Sequence, residues 1–154
     1  MAPKCSYFIL LSSVIGLFLL IFVATCWTDS EANSTGLLIA FAARRFFSTL
    51  CHQIPSRSFC FFGETVPVCA RCLGIYTGLL AGLVVYPFIC RIEKSDYPAR
   101  KYLVMAVTPT MIDFFLGFLH IVENTHLSRL LTAIPAGGGV VFYLMPAVVC
   151  LTSE

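Results

Sequence analysis

The sequence predicts an all-α integral membrane protein with about four transmembrane helices, a short interfacial helix and a Cys-rich outer hairpin. Two observations predict this fold class. Of the 154 residues, 58% are hydrophobic and only 12% are charged, and that charged share is about half the usual value for soluble domains. The apolar residues also come in runs of about 20, the length that a helix needs to cross a bilayer.

The composition excludes two broad classes of protein. A disordered chain combines low hydrophobicity with high net charge, whereas the mean hydropathy here is +0.89. The formal net charge is only +2, and the basic residues are too scattered to line a groove for nucleic acid. We therefore expect a single membrane domain over residues 1–154, with the lipid bilayer as its partner and no nucleic acid.

Four spans are predicted from apolar length and flanking charge. They cover about residues 5–27, 72–92, 102–121 and 130–151. The last span contains Pro135 and Pro146, which a membrane helix tolerates when neighbouring helices satisfy the freed carbonyl groups. Because four is an even number, both termini are expected on one side of the membrane.

The outer segment, residues 28–71, is the long connection between the first two spans. Its apolar stretch from Leu37 to Phe47 is short for a span and predicts an interfacial helix. Pro55 ends any helix that reaches Gln53. Gly63-Glu64 is a suitable turn, so residues 59–68 are expected to form a small hairpin.

The distribution of basic residues predicts the orientation. The 91–101 loop carries Arg91, Lys94, Arg100 and Lys101, whereas the 120–129 loop carries only Arg129. Short cytoplasmic loops are enriched in lysine and arginine. We therefore expect both termini and the 91–101 loop in the cytoplasm, and the outer segment on the other side.

Eight cysteines divide into two groups. Those at positions 5, 26, 90 and 150 lie in or at the ends of spans and are expected to pack as small apolar residues. The other four lie in or beside the outer segment: Cys51, Cys60, Cys69 and Cys72. The spacing of Cys69 and Cys72 allows them to chelate one ion or to form a redox disulfide. Cys51 and His52, upstream on the same membrane face, would complete a set of four ligands.

The residues around these cysteines resemble a known family. The two stretches are Cys-His-Gln-Ile-Pro-Ser-Arg-Ser-Phe at 51–59 and Pro-Val-Cys-Ala-Arg-Cys-Leu-Gly-Ile-Tyr at 67–76. They look like the signature of a prokaryotic membrane-protein family catalogued as domain of unknown function 2085. Asp113 matches an aspartate of the family pattern, whereas His126 and Ala133 stand where Asn and Gly are usual. The resemblance implies a small helical protein of the prokaryotic plasma membrane with no assigned activity.

The first function compatible with these residues is a metal site. Cys51, His52, Cys69 and Cys72 form a Cys₃His set suited to zinc. Thiolates also suit an iron–sulfur cluster or copper(I). Because four protein ligands fill a tetrahedral site, such a centre would be structural rather than catalytic.

The second function is thiol–disulfide exchange. Cys69 and Cys72 would form the redox pair at the start of a helix, where the helix dipole and Arg71 stabilise a thiolate. Cys51 or Cys60 would then exchange disulfides with that pair. Four-helix membrane oxidoreductases that use quinone have a similar plan, which is an analogy of architecture.

The third function is that of a non-enzymatic accessory subunit. Four short helices make a thin bundle, which suggests other membrane subunits as partners. The cysteines would then have only a structural role, holding the outer segment together.

Asp113 lies near the middle of the third predicted span. A carboxylate within a membrane is costly, so its side chain should face the interior of the bundle. It would act there as a proton-accepting group, or as a structural aspartate that accepts hydrogen bonds from Tyr76 or Thr77.

Three glycines recur every four residues in the second predicted span. They are Gly74, Gly78 and Gly82. Because this spacing places them on one face, we expect another helix to approach that face closely.

The predicted orientation can be tested by labelling thiols in intact cells. After mild reduction and metal removal, a membrane-impermeant reagent should label a cysteine of the outer segment, because that segment is expected outside. A cysteine introduced in place of Ser95 should stay unlabelled. Labelling at position 95 instead would reverse the orientation.

Overall fold

A computed structural model describes residues 3–26, 34–61, 63–92 and 97–153. Over these residues the chain forms five α-helices, a short 3-10 turn and one two-stranded hairpin. The helices are α1 (Pro3–Cys26), α2 (Ser34–Ser48), α3 (Ala70–Ile89), α4 (Arg100–Phe118) and α5 (His126–Ser153). The predicted all-α membrane fold is confirmed.

Four of these helices are long and apolar enough to cross a membrane. The four stretches are Lys4–Cys26, Ala70–Ile89, Arg100–Phe118 and His126–Leu151. They agree with the four predicted spans to within a few residues. Pro135 and Pro146 lie inside α5 without ending it, as expected for a membrane helix whose neighbours cover its backbone. Large apolar side chains such as Phe88 are exposed on the outside of the bundle, where lipid replaces water.

The helices alternate in direction. At one end, the Tyr7 hydroxyl of α1 donates a hydrogen bond to the Leu83 carbonyl of α3 over 3.1 Å. Tyr7 and Leu83 share a buried cluster there with Met145 of α5. At the opposite end, Ile21 of α1 packs beside Val68, just before α3 begins. The first turns of α1 and the last turns of α5 therefore lie at the same end of the bundle.

The predicted glycine face packs directly against α5. A Cβ atom on Gly78 would lie 2.1 Å from the Ile134 carbonyl oxygen, and one on Gly74 would lie 2.4 Å from that of Leu130. Gly82 similarly meets the backbone of α5. These distances are far below van der Waals contact, so no side chain fits on this face. The expectation of a closely packed helix is confirmed, and that helix is α5.

The outer segment contains α2 and the hairpin, as predicted. Strands β1 (Cys60–Phe61) and β2 (Glu64–Thr65) pair antiparallel. The predicted turn at Gly63-Glu64 is wrong by one residue, because Glu64 already pairs with Phe61. Gly63 has a φ of 83°, a left-handed conformation that glycine adopts without steric cost.

The α3–α5 contact gives a test with an internal control. Gly78→Ala should destabilise the protein by about 1–3 kcal/mol, because its methyl group would overlap the backbone of α5. Gly16→Ala in α1 is the matched control, since nothing lies within 4 Å of a Cβ atom at that position. Thermal unfolding of both variants in detergent measures the difference. Equal melting temperatures would contradict the close contact.

Candidate functional site

Three thiols converge at one end of the bundle. The sulfur atoms of Cys51, Cys69 and Cys72 all lie within 4.8 Å of one another. All three are free thiols, and Cys51 is only 6% exposed. In a tetrahedral zinc site with Zn–S distances near 2.3 Å, the sulfurs lie about 3.8 Å apart. The observed spacing therefore needs little adjustment to hold one ion. We call this end of the bundle the cysteine end.

Cys51 reaches the site because it extends the buried face of α2. Its backbone N–H donates to the Phe47 carbonyl over 2.8 Å, which places Cys51 one helical turn beyond that fully buried ring. The chain then turns sharply at Gln53, which has a φ of 49°. The Gln53 side-chain amide donates to the Arg44 carbonyl over 2.8 Å and holds this turn against α2.

Cys69 and Cys72 reach the site from the first turn of α3. Cys69 is the N-cap residue, and its backbone N–H donates to the Cys51 sulfur over 3.2 Å. Hydrogen bonds from the Cys72 side chain lower the pKa of the Cys69 thiol to about 5, although partial burial opposes the shift. The lowered pKa favours the thiolate of Cys69, the form that binds metals and attacks disulfides.

The structure brings together three of the four predicted ligands. His52 is exposed and lines the cavity beside the thiols, but its ring nitrogens are not within 4.8 Å of all three sulfurs. The reason is local, because Cys51 faces the core and its neighbour in the chain faces away. Cys60 lies on β1, is exposed, and is not a member of the thiol group.

A cavity of about 260 Å³ opens beside the thiols. Its wall combines the three cysteines with three arginines: Arg57, Arg71 and Arg129. Sequence reasoning used the arginines for membrane orientation and missed their convergence. A signal was present, because Arg57 and Arg71 lie within the two stretches that carry the cysteines.

Asp113 lies at the cysteine end, in the last two turns of α4, rather than near the middle of a span. One carboxylate oxygen accepts a hydrogen bond from the Arg71 guanidinium over 2.8 Å. The other oxygen accepts one from the Ser128 hydroxyl of α5. The expected partners were wrong, since the Thr77 hydroxyl bonds instead to the Leu73 carbonyl of its own helix.

This ion pair is largely removed from water. The side chains of Arg71 and Asp113 are 21% and 5% exposed. The Arg71 guanidinium also lies over the Phe114 ring, 5.4 Å from its centroid. The Asp113 carboxylate is therefore held by two donors from two other helices, Arg71 of α3 and Ser128 of α5.

The residues of this site lie within a stretch of the chain that is similar to known proteins. A family model described as a predicted membrane protein, DUF2085, matches residues 51–143. The chain belongs to the DUF2085 family. The DUF2085 match includes the three thiols, the cavity arginines and Asp113. The resemblance noted in the sequence is therefore confirmed.

Two relatives are archaeal proteins described as uncharacterised. The protein from Methanocaldococcus jannaschii is 37% identical over 144 residues, which cover 93% of this chain and 92% of the relative. The protein from Methanothermobacter thermautotrophicus is 36% identical over 93 residues, which cover 60% of this chain and 82% of the relative. No solved structure matches the chain.

The Arg71–Asp113 pair predicts a non-additive pair of substitutions. Asp113→Leu should cost about 3 kcal/mol, because it leaves a largely buried guanidinium unpaired. Asp113→Asn should cost less, since its amide oxygen still accepts a hydrogen bond. Adding Arg71→Met to Asp113→Leu should recover part of the lost stability, because no buried charge is then left without a partner. The free energy of unfolding in detergent is measured for each single variant and for the double variant.

Glu64→Gln is the control for that experiment. Glu64 pairs with Arg44 at 3.4 Å, and its side chain is 39% exposed, so its loss should cost at most about 1 kcal/mol. Additive effects of the Arg71 and Asp113 substitutions would mean that the two side chains do not interact.

Proposed function

We propose that this integral membrane protein holds a structural zinc ion on the thiolates of Cys51, Cys69 and Cys72. The proposal is carried by the convergence of three sulfur atoms within 4.8 Å. Zinc is bound by thiolates in tetrahedral sites. Iron–sulfur clusters usually take four cysteine ligands, so three cysteines favour a single ion, with copper(I) as the alternative. His52, on the wall of the same cavity, is proposed as the fourth ligand.

The ion would stabilise the part of the chain that has the least regular structure. Cys51 follows α2 and Cys69 precedes α3, so one ion would join the two ends of the 52–68 connection. Among its described residues, that connection contains only two-residue strands and a three-residue 3-10 turn. A structural zinc site contributes directly to folding free energy. Loss of the ion is therefore expected to loosen this connection before it affects the four spans.

The proposed location is the outer face of a prokaryotic plasma membrane. The basic 91–101 loop supports this orientation through the enrichment of lysine and arginine on the cytoplasmic side. The cysteine end lies at the opposite end of the bundle from that loop, because α3 begins at the cysteines and runs toward Arg91.

Thiol–disulfide exchange is the second candidate, favoured by the position of Cys69 and Cys72 at the N-terminal end of α3. In this reaction the Cys69 thiolate attacks the disulfide of a partner, and one partner sulfur leaves as a thiolate. The Cys72 thiol gives its proton to that partner thiolate and attacks the Cys69 sulfur, which breaks the mixed disulfide and releases the second partner sulfur. The partner gains two electrons and two protons, and Cys69 and Cys72 become a disulfide.

Metal analysis combined with thiol counting separates the two candidates. Protein purified under anaerobic conditions should contain about one zinc ion per chain, with three thiols that resist alkylation until the metal is removed. Cys69→Ser should abolish the bound metal, and His52→Ala should weaken its retention. Cys60→Ser is the matched control and should leave the metal content unchanged, because Cys60 is outside the thiol group.

The outcomes of this experiment are distinct. Metal-free protein with a reducible bridge between Cys69 and Cys72 would support exchange chemistry instead of zinc. Metal-free protein whose thiols all react at once, without any bridge, would contradict both candidates.

A further inference from the structure

The cavity beside the thiols carries an excess of positive charge. Of the residues that the structure describes, Arg57, Arg71 and Arg129 line it, and no carboxylate does. Asp113 does not line the cavity, but its carboxylate oxygen lies 2.8 Å from the Arg71 guanidinium and neutralises that charge. Within the described ranges, Arg57 and Arg129 have no carboxylate within 4.0 Å. Two guanidinium groups therefore face the cavity without a carboxylate partner, and a Cys69 thiolate would offset only one of their two charges.

Two of these arginines also have unused hydrogen-bond donors. The Nε atoms of Arg71 and Arg129 are buried, and neither has a hydrogen-bond partner among the residues that the structure describes. Both Arg57 and Arg71 repel Arg129 electrostatically. A buried donor without a partner is costly, and a buried charge more so. An anion in the cavity would satisfy the donors and offset the repulsion.

The chemistry of the wall selects the kind of anion. A guanidinium group presents paired N–H donors in a fork that matches the oxygens of a phosphate or carboxylate. Arginines converging from several chain segments suit a tetrahedral group with oxygens on several sides. The cavity volume of about 260 Å³ accommodates a phosphate group, since a water molecule takes about 30 Å³ in the liquid.

Apolar residues lie next to the arginines. Leu50 and Ile54 also line the cavity, and they are 56% and 38% exposed. A phosphate group with an attached apolar chain could therefore place the phosphate on the arginines and the chain along Leu50 and Ile54. Phospholipid headgroups and free phosphate share the recognised chemistry.

We propose that this cavity binds a phosphate group through Arg57, Arg71 and Arg129. The inference does not require the proposed zinc ion. A zinc ion on three thiolates would carry one net negative charge, and the cavity would still be net positive. Phosphate binding and metal binding can therefore succeed or fail separately.

The test uses the full-length protein in a neutral detergent. Inorganic phosphate should raise the melting temperature relative to chloride at equal ionic strength, because a ligand that binds only the folded state stabilises it. In a second arm, native mass spectrometry of protein from phosphatidylglycerol nanodiscs detects a retained phospholipid. Response to inorganic phosphate identifies free phosphate as a ligand, whereas retained phospholipid alone identifies the headgroup.

Three variants decide whether the cavity is responsible. Arg129→Gln removes an unpaired guanidinium and should weaken phosphate or lipid binding at least about tenfold, since a charge-assisted hydrogen bond contributes that much. Arg57→Gln should also weaken phosphate or lipid binding. Because Arg57 is exposed, this substitution should leave the fold intact, so a loss of binding would not be due to misfolding. Arg45→Gln is the matched control, because Arg45 is exposed on α2 and does not line the cavity.

Two results would overturn the proposal. One is the absence of both a phosphate response and a retained phospholipid in the wild-type protein. The other is an equal loss in Arg45→Gln and Arg129→Gln, which would indicate unspecific attraction to a basic surface.

Discussion

The close approach of α3 and α5 is the constraint on which the site depends. Three glycines remove side chains from one face of α3, so its backbone lies against that of α5 along several turns. In a bilayer, apolar side chains gain nothing by leaving lipid for one another, and close backbone packing is one of the main forces that join helices. α3 carries Arg71 and Cys72 and is preceded directly by Cys69, and α5 carries Ser128 and Arg129. The glycine contact therefore fixes the distance between the two halves of the cavity.

A second interaction then fixes α4 to this pair of helices. Asp113 joins α4 to α3 through Arg71 and to α5 through Ser128. Charged side chains within a membrane are tolerated when they are paired and face the interior of the bundle. Asp113 and Arg71 meet both conditions. The position of Arg71 in the sequence also matters, because this residue lies between Cys69 and Cys72. Any shift of α4 would move that guanidinium and with it the wall of the cavity.

The sequence was sufficient for features that depend on one segment at a time. Span length and hydropathy predicted four membrane helices, and the spacing of Gly74, Gly78 and Gly82 predicted a packing face. The motif spacing predicted that Cys51 would meet Cys69 and Cys72. These features follow from the helical period and from local turns.

Features that depend on the relative register of two helices were not predictable in the same way. Hydropathy does not encode which residue of α4 lies level with the first turn of α3, so the partner of Asp113 was misassigned. The arginines come from three separate segments, and only the folded chain places Arg129 beside Arg57. His52 shows a smaller failure of the same kind, since the side-chain direction depends on where α2 ends rather than on adjacency to Cys51.

The thiols and the arginines form one electrostatic unit. Three thiolates at this spacing repel one another, so full deprotonation needs compensating positive charge nearby. Arg129 supplies part of that charge on the cavity side, and the first turn of α3 supplies backbone N–H groups. This environment favours the thiolate of Cys69, whether that residue binds metal or exchanges disulfides. The feature that separates the two functions is the third sulfur. Exchange within a C-x-x-C pair needs only Cys69 and Cys72, whereas Cys51 is buried, accepts the Cys69 N–H, and completes a set of three ligands. The geometry around Cys51 is therefore the argument for a metal site over a redox pair.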